Sequence, residues 1–421
     1  MTQFILPFSY QGSLQVPYSK SYLQRAIAIG LLYKKDVEIT GFTPGNDAIA
    51  ARSIAENLGA KTAIIGNILN LTSGNNQGDS VAINCGESGL STRMFSPISA
   101  SLFEQVTIEG EGSILMRPMD MVIDALEKLG ARVDSNDGKL PLNITGKIQS
   151  GTIEIDGSES SQLLTGLLIA LSFLPDDSTI HVQNLKSIPY VQMTLDILDS
   201  FGVKVTHEDF QTFRIPAYTS DFDSKNESLA YTVEGDWSGA SFHVVGSALS
   251  GEIALTGLNP KSAQADKAIV DAVRLAGASV EWKEDVLHVK EGEKKAFEFD
   301  ATHCPDLFPP LAALAAGCEG TSTFIGVSRL ASKESNRGLT IQSEMKKLGI
   351  EVELDGDVMR VTGGQVQAGT IDSNNDHRIA MMGAILATQT DAEIEITNPN
   401  AVNKSYPAFF EDLAAIATLE V

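Results

Sequence analysis

Cysteine is scarce in this chain of 421 residues: Cys85, Cys304 and Cys318 form an odd set without CxxC spacing. Such a set excludes a disulfide framework and a structural zinc site, and it points to a reducing compartment. Long apolar runs are lacking too. The most apolar one, LLTGLLIALSFL, is too short to span a bilayer, and the opening MTQFILPFSYQGS has neither the basic start nor the apolar core of a signal peptide. A soluble, cytoplasmic protein is expected. Basic residues number 31 against 54 acidic ones, for a net charge of −23 without a Lys/Arg-rich run. That balance repels nucleic acid and anionic membrane surfaces, so neither is an expected partner. HExxH, Walker A, GxGxxG and GxSxG patterns are missing, which removes the metalloprotease, NTPase, dinucleotide and serine-hydrolase signatures.

What the chain does have is a repeat. Gly59, Gly130, Gly202, Gly277 and Gly349 each close an amphipathic stretch such as VIDALEKLGARVDS, at spacings of 71, 72, 75 and 72 residues. Glycine is the usual residue that ends a helix in the left-handed region. A second helix series starts near Ser21, Ser91, Ser161, Ser238, Asp306 and His377, and its bodies are apolar nearly all round, as in FHVVGSAL and IAMMGAILA. These should be interior helices, whereas the first series keeps a charged face. Short β-branched runs, VEITGF and AEIEITN among them, alternate with the helices, which indicates an α/β fold. Length alone favours two domains, and six units divide simply into two sets of three. LQVPYSK (14–20) and PAYTSDFDSKNESLAYT (216–232) read as two crossings between them.

Polar residues of the buried series gather at its helix starts: Ser19, Lys20 and Ser21 with Arg25, Ser91 with Arg93, Ser160 to Gln162, Asp306, and Asp376 to Arg378. Serines there are ordinary caps. Lysines and arginines are not, because a helix start already concentrates positive charge; with an anion present, the same place becomes a binding site. Arg117, Lys333, Arg337 and Lys404 lie in turns next to these helices. Asp306 and Glu334 fall among the cations and could transfer protons beside bound anions, or simply cap and pair. His377 could bind, transfer protons or serve structurally.

In order, SKSYLQR, SGLSTR, RPM, SSQLLTGLL, SIPY, EGDWSGAS, PD, KESNR, DHRIAM and NKSYP resemble the motifs of the 5-enolpyruvylshikimate-3-phosphate synthase family over nearly the whole chain. The resemblance implies transfer of the enolpyruvyl group of phosphoenolpyruvate to the 5-hydroxyl of shikimate 3-phosphate, with release of phosphate and without a metal or organic cofactor, on the route to chorismate and aromatic amino acids. It implies two domains of three βαβαββ units with buried parallel helices, an inside-out α/β barrel. Residues 1–17 and 231–421 would form one domain and 18–230 an inserted one, closing on an active site in the cleft between them. Carried over by similarity, Lys20, Ser21, Arg25, Ser160, Ser161, Gln162, Ser187, Tyr190, Asp306 and Lys333 would hold shikimate 3-phosphate. Lys20, Gly89, Arg93, Arg117, Arg337, Arg378 and Lys404 would hold phosphoenolpyruvate. Asp306 would accept the hydroxyl proton, with Glu334 and Lys20 assisting proton delivery to the methylene carbon. A monomer is expected.

The chain departs from the family pattern at Glu87, Leu90, Met94 and Asn336. Glu87 could repel phosphoenolpyruvate or organise a cation, and Leu90 with Met94 should reshape the helix start around Gly89. Two rivals follow. One is the related UDP-N-acetylglucosamine enolpyruvyl transferase, which typically carries a reactive cysteine where this chain has GEGSILMRP. The other is a degenerate, non-catalytic anion-binding protein.

Overall fold

The five spaced glycines set the rhythm of the fold. In the computed structural model, which describes residues 1–74, 78–219 and 228–419, all five have φ between 78° and 105°. At such an angle a side chain costs about 1 kcal/mol. By its contacts the chain forms two compact units, Met1–Ser19 with Glu234–Val421, and Lys20–Val233.

The unit Lys20–Val233 carries helices α1 (Lys20–Leu32), α2 (Asn46–Asn57), α3 (Gly89–Leu102), α4 (Asp120–Lys128), α5 (Gln162–Leu171) and α6 (Ile188–Ser200). Odd-numbered helices are the interior series, with Gly89–Ala100 of α3 and Leu163–Leu171 of α5 wholly buried. Their hydroxyls are satisfied within the helix: Ser96 donates to the Thr92 carbonyl and Ser172 to that of Leu168. Three four-stranded sheets cover them among the described residues. One orders Ser228–Thr232, Asp36–Thr40, Ile68–Thr72 and Lys61–Ile65; the others are built likewise on Ser80–Asn84 and Thr152–Asp156. In each, the first two strands run parallel and the remaining pairs antiparallel. Alternation does the sorting: Val37 and Ile39 point inward while Asp36 and Glu38 stay exposed.

The unit of Met1–Ser19 with Glu234–Val421 carries α7 (Trp237–Leu249), α8 (Ile269–Leu275), α9 (Phe308–Ala316), α10 (Arg337–Lys347), α11 (His377–Leu386) and α12 (Phe409–Ile416). Here α7, α9 and α11 are the buried helices. Two four-stranded sheets repeat the pattern. The third sheet has three strands, Gly369–Asp372 and Ile394–Thr397 in parallel with Thr2–Ile5 antiparallel at the far edge. The N-terminal strand thus takes an antiparallel place that the local segment fills in the other repeats. No helix among the described residues is long and apolar enough to cross a membrane.

The stretch 216–232 is not one crossing loop. Ser228–Thr232 is a strand paired in register with Asp36–Thr40, so the expected boundary at 230/231 falls inside it; alternating Leu229 and Tyr231 favour pairing once a partner edge exists. Residues 220–227 of that stretch lie outside the described ones.

Close packing of α3 on α5 depends on Gly166, where an added Cβ would lie 2.6 Å from the Met94 carbonyl oxygen and 2.7 Å from Met94 Cα. Gly166→Ala gains up to about 1 kcal/mol of helix propensity but forces these backbones apart, for a net loss of about 1–3 kcal/mol. Urea unfolding should show the lower midpoint; an unchanged midpoint contradicts the packing.

Candidate functional site

The helix starts of the interior series gather the sequence-marked residues into two clusters, one in each unit. In Lys20–Val233 the cluster is built around α1, α3 and α5. Ser88 caps α3 by accepting from the Ser91 N–H at 3.2 Å, and Gln24 of α1 reaches both Ser88 and Ser91 at 3.0 Å. The helix start is therefore regularly capped, and Leu90 and Met94 are buried along it. Gly89 lies beside two guanidinium groups: a Cβ there would sit 2.8 Å from Arg117 Nη1 and 3.1 Å from Arg93 Nη1. Glycine is what lets both cations reach the first turn.

Arg93 donates to Gln162 Oε1 at 3.1 Å and to the Pro118 carbonyl at 3.3 Å. Its Nε, like that of Arg117, is buried without a hydrogen-bond partner. Desolvation first, and then repulsion by Arg117, pulls Arg93 down to about 10, with Glu159 offsetting part of it. Arg25, 1% exposed, bonds only neutral oxygens among its described partners: Thr194 Oγ1 at 3.0 Å, the Ser21 carbonyl at 2.8 Å, Thr165 Oγ1 and the Tyr190 carbonyl. Burial brings it also to about 10. Three guanidinium groups thus stand in low dielectric where an anion would stabilise each.

Ser160 accepts from the Gln162 N–H at 3.2 Å, which makes it a cap for α5, whereas the buried Ser161 makes no capping bond with its side chain. Ser187, before α6, is held at φ 57° and ψ 39°, a left-handed geometry that costs a non-glycine residue about 1–2 kcal/mol. Tyr190 follows in the first turn. Lys20 is paired with Asp47 of α2 at 2.9 Å. Asp47 went unmarked because an acidic residue in the first turn of a helix reads as ordinary dipole compensation; only the fold puts it beside Lys20. The Glu87 carboxylate packs at the Gly112 turn, where a Cβ would come within 2.4 Å of it.

In the other unit the cluster is dense in both signs. Arg337 is fully buried and donates to Asp376 Oδ2 at 2.9 Å, Asp306 Oδ1 at 2.8 Å and Glu334 Oε2 at 2.5 Å. Asp306 also meets Lys333 at 3.2 Å and Arg378 at 3.1 Å, and Lys404 lies 3.8 Å from Glu334. Burial alone would raise the Asp306 carboxyl, but Arg378, Lys333 and Arg337 together hold it well below its ordinary value. Lys333 is lowered by desolvation, which Asp306 partly opposes. Arg378 Nη1 lies 2.6 Å from His377 Nε2; an arginine N–H can only donate, so this nitrogen accepts and the ring positions Arg378 as a neutral base. Asp376 caps α11 through the Arg378 N–H and grips Arg337. Asn336 caps α10, accepting from the Leu339 N–H, so this departure from the family pattern keeps a structural job.

Cys85, Cys304 and Cys318 are buried and unpaired. Burial raises all three thiols, Cys85 and Cys318 to about 12, which leaves no thiolate for nucleophilic work. The stretch Gly112–Met116 is a short 3-10 turn without cysteine.

The family model for EPSP synthase (3-phosphoshikimate 1-carboxyvinyltransferase) matches residues 7–413. The 3-phosphoshikimate 1-carboxyvinyltransferase of Clostridium kluyveri is 34% identical over 415 residues, covering 98% of this chain and 96% of that protein. Its counterpart in Methanocella arvoryzae is 35% identical over 420 residues, covering 97% of each. Among solved structures, the EPSP synthase of Acinetobacter baumannii superposes with a TM-score of 0.82 at 25% identity, over 99% of this chain and 98% of that one. An enolpyruvyl transferase from Streptomyces tendae, with a TM-score of 0.76 at 17% identity over 99% of this chain and 97% of that one, shares the fold. With a family model that matches residues 7–413 and relatives above 30% identity over nearly the whole chain, the chain belongs to the EPSP synthase (3-phosphoshikimate 1-carboxyvinyltransferase) family.

Proposed function

We propose that this protein transfers the enolpyruvyl group of phosphoenolpyruvate to the 5-hydroxyl of shikimate 3-phosphate and releases phosphate. The observation that carries the proposal is the pair Arg93 and Arg117 at the Gly89 helix start, buried with unpartnered Nε groups. Two forked cations beside free helix N–H groups suit a doubly anionic phosphate. Membership of the family supplies the substrates that fit such a pocket. Lys20, Arg337, Arg378 and Lys404 would complete the phosphoenolpyruvate set. Shikimate 3-phosphate would be held by Lys20, Ser21, Arg25, Ser160, Ser161, Gln162, Ser187, Tyr190, Asp306 and Lys333. Both clusters would have to act on one pair of substrates.

Protonation of the methylene carbon makes C2 of phosphoenolpyruvate cation-like. The acceptor oxygen adds there and gives up its proton; loss of phosphate and of one methyl proton then restores the double bond on the acceptor. Asp306 would take the hydroxyl proton, and Glu334 with Lys20 would serve the methylene carbon. In the free protein Asp306 is too strongly held by three cations to be an effective base. Substrate anions that engage Arg378 and Arg337 would weaken that hold and restore its basicity, so binding and proton transfer are coupled. Positioning both reactants would supply much of the remaining acceleration.

Cytoplasmic residence and a monomeric state belong to the same proposal, supported by three unpaired thiols and by the division of the chain into two compact units.

Purified protein mixed with both substrates should release phosphate only when shikimate 3-phosphate is present. UDP-N-acetylglucosamine should not replace it, and Lys20→Ala should lose at least about 100-fold in rate. Release with the nucleotide sugar alone would assign the chain to the sister activity, and binding without release would assign it to the non-catalytic class. Gly89→Ala, which pushes Arg117 and Arg93 aside, should raise the KM for phosphoenolpyruvate by about tenfold or more while changing that for shikimate 3-phosphate by less than about threefold. Equal effects on both would remove Gly89 from the phosphoenolpyruvate pocket. Asp47→Asn leaves Lys20 without its counter-ion and should lower kcat/KM by about tenfold; wild-type kinetics would show that the pair is ornamental.

A further inference from the structure

One buried carboxyl of the second cluster has no part in the mechanism above. Asp266 lies in the turn before α8, 3% exposed. Its carboxyl hydrogen-bonds the Ser238 side chain at the start of α7. The same Ser238 hydroxyl accepts from Arg378 Nη2 at 2.5 Å. Asp266, Ser238 and Arg378 therefore form one chain, ending on a guanidinium whose Nη2 also meets Asp306 and whose Nε is buried without a partner.

The surroundings of Asp266 are mostly acidic. Asp236 caps α7, Asp306 and Cys304 lie in the segment that leads into α9, and Arg378 of α11 is the cation among these neighbours. The adjacent Lys267 turns to its own loop, donating to the Ser262 carbonyl at 2.7 Å. If Asp266 is ionised, Arg378 faces carboxylates on both sides before any substrate arrives, and an incoming anion must compete with them. As a neutral acid, Asp266 still holds Ser238 but leaves the charge of Arg378 to the ligand. A hydroxyl with two lone pairs can serve both neighbours in either state.

We propose that Asp266 is a positioning residue for Arg378, acting through Ser238, and that its charge state sets how tightly Arg378 holds an anion, an assignment that rests on enolpyruvyl transfer being the reaction. Desolvation, then the Asp306 charge, raises Asp266 to about 7, against the pull of Arg378 and Ser238. The switch therefore falls within the working range of pH. The sign is fixed: ionisation above pH 7 adds negative charge beside Arg378, so phosphoenolpyruvate binds more weakly as pH rises.

The test measures the KM for phosphoenolpyruvate from pH 7 to 9 at saturating shikimate 3-phosphate, where the substrate phosphate is already largely ionised. The wild type should show KM rising by up to about tenfold per pH unit. Asp266→Asn, which mimics the neutral acid, should flatten the rise and stay near the wild-type value at pH 7. Asp266→Ala, which drops Ser238, should raise KM at every pH. A rise that persists in Asp266→Asn overturns the proposal, as does an Asn variant as impaired as the Ala variant at all pH values. Folding supplies a second readout. A carboxyl whose folded value lies above its unfolded value of about 4 loses stability as pH climbs from about 4 to about 7, so Asp266→Asn should unfold at a higher temperature than wild type at pH 8, with the gain shrinking toward pH 5. No gain at pH 8 counts against it. Wild-type protein that releases no phosphate would defeat the reaction itself. The linkage would then be decided by sulfate binding in calorimetry at pH 8: proton uptake in the wild type and none in Asp266→Asn supports it, and equal uptake in both overturns it.

Discussion

Much of the second cluster depends on the fully buried guanidinium of Arg337, which joins Asp376, Asp306 and Glu334 by bonds of 2.5 to 2.9 Å. A cation in such a place survives only if it is paired, since burying an uncompensated charge costs several kcal/mol. Pairing has a structural by-product. The Arg337 contacts fix Asp306 and Glu334, two of the three candidate proton carriers, and tie the start of α10 to that of α11 through Asp376, while Lys333 and Arg378 close on the same Asp306. An anion that takes over part of the Arg337 or Arg378 fork must loosen the hold on Asp306. Occupancy and basicity are then one event.

The cluster of Lys20–Val233 is built on the opposite principle. Arg25, Arg93 and Arg117 are also buried, yet Arg25 meets hydroxyls and carbonyls, and Arg93 and Arg117 press on each other beside Gly89. Neutral oxygens do not compensate a guanidinium as carboxylates do. Lys20 has Asp47 and Glu159 acts on Arg93, but much of the compensation of the three guanidinium groups is left to the ligand, and a chain with a net charge of −23 keeps local positive potential where multiply anionic substrates must be drawn in.

The repeat was legible because glycine stops and all-round apolar helices are local signals. Gly59 and its four counterparts take the positive φ that their spacing implied, and the six interior helices begin within about three residues of their marked starts. The origin of the strand at Ser228–Thr232 was not legible, because its partner Asp36–Thr40 lies nearly two hundred residues away and Pro, Ser and Asp dominate the preceding stretch. Cations at helix starts stood out against the macrodipole. Two of their acidic neighbours did not: Asp47 and Asp266 sit where acidic residues are commonplace, and only tertiary placement separates a partner of Lys20, or a neighbour of Arg378, from an ordinary helix-start carboxylate. Asn336, a departure from the family pattern, is a cap.

The central claim is that phosphate leaves carbon rather than being transferred through phosphorus. Phosphoenolpyruvate labelled with oxygen-18 in the bridging position, incubated with the protein and shikimate 3-phosphate, distinguishes the two by mass spectrometry of the released phosphate. Enolpyruvyl transfer breaks the C2–O bond, so all released phosphate should carry the label, and none should form without the acceptor. Unlabelled phosphate would mean cleavage between phosphorus and oxygen, and would contradict the assignment of these two clusters to enolpyruvyl transfer.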